Sequence, residues 1–405
     1  MPDHTHRLAG RRLGALLLAS CLLLLAGLAP APSHAARPPG HPGASAAFRE
    51  LDPATAARVR ARINRMSLAA KVGQVFMVSF PSTMVTADLL EWLKDWQVGG
   101  VIVFSRNIAG DAQLAHLLAD ANGAALTAGG LPLLVGIDQE GGLVRRIQYG
   151  PASLAPAAYY GSLGPAGTTQ LYRDAYNAGL ALRRLGVTLD FAPVCDVLTN
   201  PYSPIGSRSY GADPYLVGRM AAAAIRGYQD AGVAATAKHF LGLGNTGIDA
   251  HNDLPTVGVS RAWLESHDLV PFRMAIKAGV QAIMTTHVVV PALDPTGLPA
   301  DLSPAALSGV LRGELGFRGL AVADSLLMGA VTFHLGVAES AVQAVRAGND
   351  LILLAQARSY PPAEMHAALL AVAQAVRTGR IAVGRLNDAV YHVLALKTQL
   401  GLLKP

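Results

Sequence analysis

Residues 233–240 read VAATAKHF. Five small or apolar positions run without a charge, and Lys238 and His239 then stand near the end. An uninterrupted run of this kind suits a β-strand covered on both faces, as in a parallel sheet. The same form recurs as VGQVFMVSF at 72–80, GGVIVFS at 99–105, LPLLVGID at 131–138 and GVTLDFAPV at 186–194. It recurs again as VQAIMTTHVV at 280–289, GLAVADS at 319–325 and DLILLA at 350–355. Longer amphipathic stretches separate the runs. YLVGRMAAAAIRGYQDAG (215–232) and VAESAVQAVRAG (337–348) predict helices, the second stopped by Gly348. This alternation predicts an α/β fold, a (β/α)8 TIM barrel. A doubly wound open sheet fits the same alternation. The polar residues favour the barrel: Asp138, Asp196, Lys238, His239, His287 and Asp324 stand at the C-terminal ends of runs. In a barrel those ends share one face, where active sites form.

Composition agrees with a large folded core. The 405 residues are 51% hydrophobic and 15% charged, which excludes disorder for the bulk of the chain. The N-terminus reads differently. A basic start, MPDHTHRLAGRR, leads into LGALLLASCLLLLAGLA at 13–29 and then PAPSHA at 30–35. This layout predicts a secretory signal peptide over 1–35, cleaved after Ala35. The apolar run is short for a membrane anchor, which needs roughly 20 residues. LASC at 18–21 resembles a lipobox, so a lipid anchor on Cys21 is the alternative form of export, and Arg11-Arg12 is a weak twin-arginine signal. ARPPGHPGASAA follows, and 36–55 is read as a flexible linker, with the barrel over 56–405. No fixed-period repeat is evident.

The cysteines are Cys21 and Cys195, so signal removal leaves one and no intrachain disulfide forms. Net charge is +6, part of it in the signal segment, and the mild excess suits an anionic wall or glycan environment. No basic block is interleaved with aromatics, which argues against a nucleic-acid partner.

Several residues could carry chemistry. Asp324, closing GLAVADS, is a rigidly held carboxylate fit for a nucleophile or a metal ligand, or else a helix N-cap. Asp249 and His251 flank Ala250, and residues two apart on extended chain share a side. The carboxylate can then hold the imidazole tautomer, and the imidazole can give and take a proton near neutrality. DQEGG at 138–142 places Asp138 and Glu140 beside glycines that let a backbone approach a ligand. Arg146 and Arg208 offer guanidinium forks for a polar ligand or an ion pair. Two mechanisms can use this set. One is glycoside hydrolysis with a carboxylate nucleophile and a separate proton donor, where a histidine donor is unusual. The other is a metal-dependent hydrolase with His239, His251, His287 and Asp324 as ligands. The early strands end VSFPST and VFSRN, without the H-x-H pair common in barrel metallohydrolases. A non-catalytic sugar-binding protein is a third class.

Taken in order, IDQEGGLVRRI, DFAPVCDV, IGSRSYG, KHFLGLG, DAH and LRGELGFRGLAVADSLLMGAV resemble the motifs of family-three glycoside hydrolases, most of all the single-domain β-N-acetylhexosaminidase branch. The resemblance spans roughly 60–400. It implies a (β/α)8 barrel acting with retention of configuration and with no metal and no cofactor. It further implies Asp324 as nucleophile, His251 as acid/base on a mobile loop and Asp249 as its partner. Asp138, Arg146, Arg208, Lys238 and His239 match the positions that bind a non-reducing terminal N-acetylglucosamine.

The chain departs from the family pattern at Leu241, Leu243 and Asn245, where proline, histidine and aspartate are usual. Ala250 replaces a serine and Leu143 an arginine. Loss of the proline should loosen the loop, and loss of the histidine removes polar contacts. Altered aglycone preference or a lower rate is therefore expected. A neutral histidine base would not repel an anion, so phosphorolysis is an alternative, as are a β-glucosidase and an inactive sugar-binding relative. The expected partner is a β-linked N-acetylglucosamine glycan or muropeptide, and the expected state is an exported monomer.

Overall fold

The structure, a computed structural model, describes residues 48–357 and 359–404. The signal segment with Cys21 and most of the linker lie outside the described residues. Within them, no helix is long and apolar enough to cross a membrane.

Each of the eight apolar runs contains one barrel strand: β1 Phe76–Val78, β2 Gly100–Val103, β3 Leu134–Ile137, β4 Leu189–Asp190, β5 Ala234–Phe240, β6 Ala282–Thr285, β7 Leu320–Ala323 and β8 Leu351–Leu354. All pair in parallel with their sequence neighbours, and β1 pairs with β8, which closes the barrel. The open sheet is thereby ruled out. Helices Pro214–Asp230 and Val337–Ala347 coincide with the two predicted ones, and Gly348 follows with φ 129°, a left-handed stop.

Side chains alternate along the strands as a barrel requires. Ile102, Met284 and Leu353 point inward with Met77, Leu134 and Phe191, while Val101, Ile283 and Ile352 face the helical layer. Gly136 makes room inside, since a Cβ there would lie 2.8 Å from the Met77 sulfur and 2.9 Å from the Phe191 ring. The last helix, Val383–Gln399, adds Val393 and Leu396 to this interior, where Leu396 lies beside Gly319 and Leu320 at the N-terminal end of the barrel. The opposite end is left to the βα loops.

One boundary differs from expectation. Helix Pro53–Arg65 begins inside the segment read as linker. Asp52 caps it by accepting from the Ala54 and Thr55 amides, and Pro53 takes the first position, where its missing N–H costs nothing.

Candidate active site

Seven polar side chains meet at the C-terminal ends of β3, β4 and β5. A hairpin follows β3, pairing Gln139–Gly141 with Val144–Arg145. The Gln139 amide fixes it: Nε2 donates to the Ile147 and Ala152 carbonyls, and Oε1 accepts from the Arg146 and Ile147 amides. Sequence reasoning gave Gln139 no role. Gly141 and Gly142 have φ of 96° and 54°, and a Cβ on either would strike the segment 154–156 at under 3 Å. These glycines therefore serve close packing of protein on protein, where the sequence reading had them approach a ligand.

The hairpin presents Asp138, Glu140 and Arg146 to Lys238 on β5. Lys238 Nζ donates to Asp138 Oδ1 at 2.9 Å and lies 2.7 Å from Glu140 Oε1. Arg146 Nη2 donates to the other Asp138 oxygen at 2.9 Å. Arg208 forks onto Glu140, Nε to Oε2 at 2.8 Å and Nη2 to Oε1 at 2.7 Å. Arg208 Nη2 also reaches His239 Nε2 at 3.3 Å, and His239 Nδ1 lies 2.7 Å from Asp196 Oδ2. Nε2 thus faces a donor and Nδ1 an acceptor, which suits the tautomer protonated at Nδ1. The Leu243 amide donates to Asp196 Oδ1, tying this chain of charges to the loop beyond.

The network sets the protonation of its members. Burial opposes ionisation of Asp138, but Lys238 and Arg146 outweigh it and hold the carboxyl well below its usual range. Burial likewise opposes ionisation of Glu140, and Arg208 and Lys238 bring it down to about 2. Lys238 is raised: burial would neutralise it, and Asp138 and Glu140 prevent that. Beneath them Asp190 accepts from the Gln139 amide through Oδ1, while Oδ2 is buried without a partner. Burial, aided by the charges of Asp138 and Glu140, pushes it up to about 8.

The loop after β5 carries Asp249 and His251. Asp249 Oδ1 accepts from the His251 amide at 2.9 Å and lies 2.7 Å from His251 Nδ1. The histidine side chain is 67% exposed, so Nε2 faces outward, available for proton transfer. Burial raises the Asp249 pKa, but the hydrogen bonds from His251 lower it further, and Arg208 adds to the lowering. The loop base is packed. Leu241 and Leu243 are buried in the main core, and Ser203 Oγ donates to the Leu243 carbonyl.

Asp324 stands at the C-terminal end of β7, where its amide donates to the Thr285 carbonyl and its Oδ1 accepts from the Ser325 amide. Behind it, His287 forms a fully buried ion pair with Asp301 at 2.9 Å, and its Nε2 sits 2.9 Å from the Ser325 carbonyl. Burial would lower the His287 pKa, yet Asp301, with help from Asp324, raises it to about 9. The His287–Asp301 pair thus stands under the turn that carries Asp324. Two backbone bonds join this turn to the histidine loop: the Gly329 amide donates to the His251 carbonyl and the Ala330 amide to the Ala250 carbonyl, both at 3.1 Å. Ala250 is buried against Met328 and Ala330, a site for a methyl group.

The four groups weighed as metal ligands do not converge. His239 is held by Asp196, His251 by Asp249 and His287 by Asp301. Among the described residues the one metal-like cluster is Asp350, Asp388 and His392, at the barrel's other end, and Asp350 is already paired with Arg312 and Arg385. The sequence reading noted Glu140 beside its glycines and Asp196 at a strand end, but foresaw neither the Arg208 fork on the first nor the His239 contact of the second. Asp190 carried one signal, a carboxylate inside an apolar run.

Comparison with known proteins accords with this geometry. The model of the glycosyl hydrolase family 3 N terminal domain matches residues 67–396. A protein of Thiobacillus denitrificans named beta-hexosaminidase is 38% identical over 69% of this chain and 77% of its own length. The solved family 3 beta-N-acetylglucosaminidase of Paenibacillus sp. str. FPU-7 superposes with a TM-score of 0.80 at 44% identity, covering 83% of this chain and 63% of that one. The beta-N-acetylhexosaminidase of Beutenbergia cavernae gives 0.75 at 30% identity, covering 82% of this chain and 99% of that one. By family model, relatives and barrel alike, this chain belongs to glycosyl hydrolase family 3 and carries its N-terminal barrel domain.

Proposed function

We propose that this chain is a retaining β-N-acetylglucosaminidase that removes a terminal N-acetylglucosamine from peptidoglycan-derived or related glycans. The observation that carries the reading is the Asp249–His251 pair, held by two backbone bonds to the turn that follows Asp324. In the first step an Asp324 oxygen attacks the anomeric carbon as the glycosidic C–O bond breaks. His251 Nε2 gives its proton to the departing oxygen, and Asp249 stabilises the charge on the ring. In the second step the neutral His251 takes a proton from water. The resulting hydroxide attacks the anomeric carbon and releases Asp324, which gives net retention. Asp138, Arg146, Arg208, Lys238 and His239 hold the sugar's polar groups. Their mutual pairing leaves the donors rigid before substrate arrives. The leader read over 1–35 puts the reaction in the envelope or outside the cell, and fractionation that found mature protein in the cytosol alone would refute that location.

The test is release of 4-nitrophenol from the β-N-acetylglucosaminide and the β-glucoside, with chelator and with phosphate. Chelator-resistant hydrolysis of the first is expected. Preference for the glucoside would refute the sugar assignment. Phosphate-dependent formation of a sugar 1-phosphate would refute hydrolysis.

A further inference from the structure

Two aromatic side chains stand in solvent beside the proton-donor loop. Tyr202, on the loop after β4, is 85% exposed, and Phe333, after the short helix Gly329–Thr332, is 76% exposed. A Cβ on Gly247, at the start of the histidine loop, would lie 4.0 Å from the Tyr202 Cβ. A Cβ on Gly329 would lie 2.6 Å from the His251 carbonyl and 2.9 Å from Phe333 Cε2. The two rings therefore border the two ends of one loop. Neither is a loose surface residue. The Tyr202 amide donates to Asn200 Oδ1, and the Asn200 amide donates to the Gly244 carbonyl of the histidine loop. The Phe333 amide donates to the Gly329 carbonyl, in the turn bonded to His251. An aromatic ring fixed beside this loop offers a passing sugar an apolar face with a negative quadrupole.

Resting on the function proposed above, we propose that Tyr202 and Phe333 are platforms for the second and third rings of a β-linked N-acetylhexosamine chain. A leaving group protonated by His251 must exit past this loop, so the sugar beyond the cleaved bond lies where these rings stand. A β-linked pyranose carries its bulky groups equatorially and presents axial C–H bonds on its faces. Those positively polarised hydrogens suit the negative face of an aromatic ring. The enzyme then prefers chains to simple glycosides, and Tyr202 and Phe333 set the preference.

The experiment measures kcat/KM for the methyl β-N-acetylglucosaminide and the β-linked N-acetylglucosamine di-, tri- and tetrasaccharides, and for the alternating series whose second sugar carries a lactyl ether. The wild type is expected to gain about 3- to 10-fold per ring up to three rings. Of Tyr202→Ala and Phe333→Ala, one should abolish the gain from the methyl glycoside to the disaccharide and the other the gain from the disaccharide to the trisaccharide, while turnover of the methyl glycoside changes less and thermal stability is unchanged. The series showing the larger gain identifies a chitin-type or a wall-type chain. Calorimetric binding of both series to the Asp324→Asn protein gives the same readout without turnover, so failure of the activity is distinguished from failure of the platforms. Wild-type rates and affinities independent of chain length, or increments that survive both substitutions, would overturn the proposal.

Discussion

Gly329→Ala separates the proposed proton donor, His251, from the proposed nucleophile, Asp324, with one methyl group. The added Cβ would sit 2.6 Å from the His251 carbonyl oxygen and 3.0 Å from that of Asn252. Reaching even a tight contact requires the loop to retreat by about half an ångström. Both neighbouring backbone bonds, Gly329 to His251 and Ala330 to Ala250, then stretch beyond 3.1 Å. At about 1 kcal/mol net for each, the stability loss should be about 1–2 kcal/mol. A misplacement of 1 Å costs about 100-fold in rate, so half of that predicts about 10-fold in the step His251 assists. Asp324 is anchored separately, through its amide to the Thr285 carbonyl. The assay is kcat/KM for a 4-nitrophenyl glycoside and for an alkyl glycoside, with urea unfolding alongside. Loss should be near 10-fold for the alkyl substrate and much smaller for the nitrophenyl one, which leaves without protonation. Equal losses on both, or unchanged stability and rates, would refute the idea that this glycine seats the proton donor.

The same leaving-group comparison applies to the residues of the mechanism. Asp324→Asn should reduce turnover of every glycoside to background, and residual turnover of activated substrates would move the nucleophile elsewhere. His251→Ala should cost about 100- to 10,000-fold on alkyl glycosides and far less on nitrophenyl ones, and equal losses would refute its role as acid. Glu140→Gln leaves Lys238 and Arg208 facing each other without their shared carboxylate. It should destabilise the fold by about 3–5 kcal/mol, and a midpoint within error of the wild type in urea would show that the pairing is not structural. Asp190 ionises near 3.8 in the unfolded chain and near 8 in the fold. Between these values the folded state holds the extra proton, so this contribution is complete below about pH 4 and is lost as the pH rises through about 8. Asp190→Asn should therefore gain stability relative to the wild type as pH rises across that window, and a pH-independent difference in Tm would refute the assignment.

The barrel was legible because its strands are buried on both faces, which turns each into an apolar run that local sequence reveals. All eight runs contain a strand, and the polar residues at their C-terminal ends do share one face. The carboxylates that organise the site were not legible. Glu140 was seen only as a neighbour of glycines and Asp196 only as a polar residue at the end of a run. What they do depends on Arg208 and His239, which lie 68 and 43 residues away in sequence. Gln139 was missed because a buried amide holding a hairpin leaves no pattern of its own. The close approach at Gly141 and Gly142 was foreseen with the wrong partner, since sequence shows that a backbone must pass near but not which one.

Lys238 explains why the residues proposed to bind the sugar form a connected chain of charges. A buried ammonium is costly unless its partners are excellent, and Lys238 is only 2% exposed. Asp138 and Glu140 supply two carboxylates within 2.9 Å, and each is itself held by an arginine fork or arm. Neutralising Asp138 leaves Arg146 without its carboxylate, and neutralising Glu140 does the same to Arg208. The donors proposed to meet the substrate are therefore fixed by the same contacts that hold the buried charges. Loss of activity on substituting any one of them is for that reason weak proof of sugar contact. Tyr202 and Phe333 stand outside this network, exposed and without charge, so their substitution reports on substrate with the least disturbance to the fold.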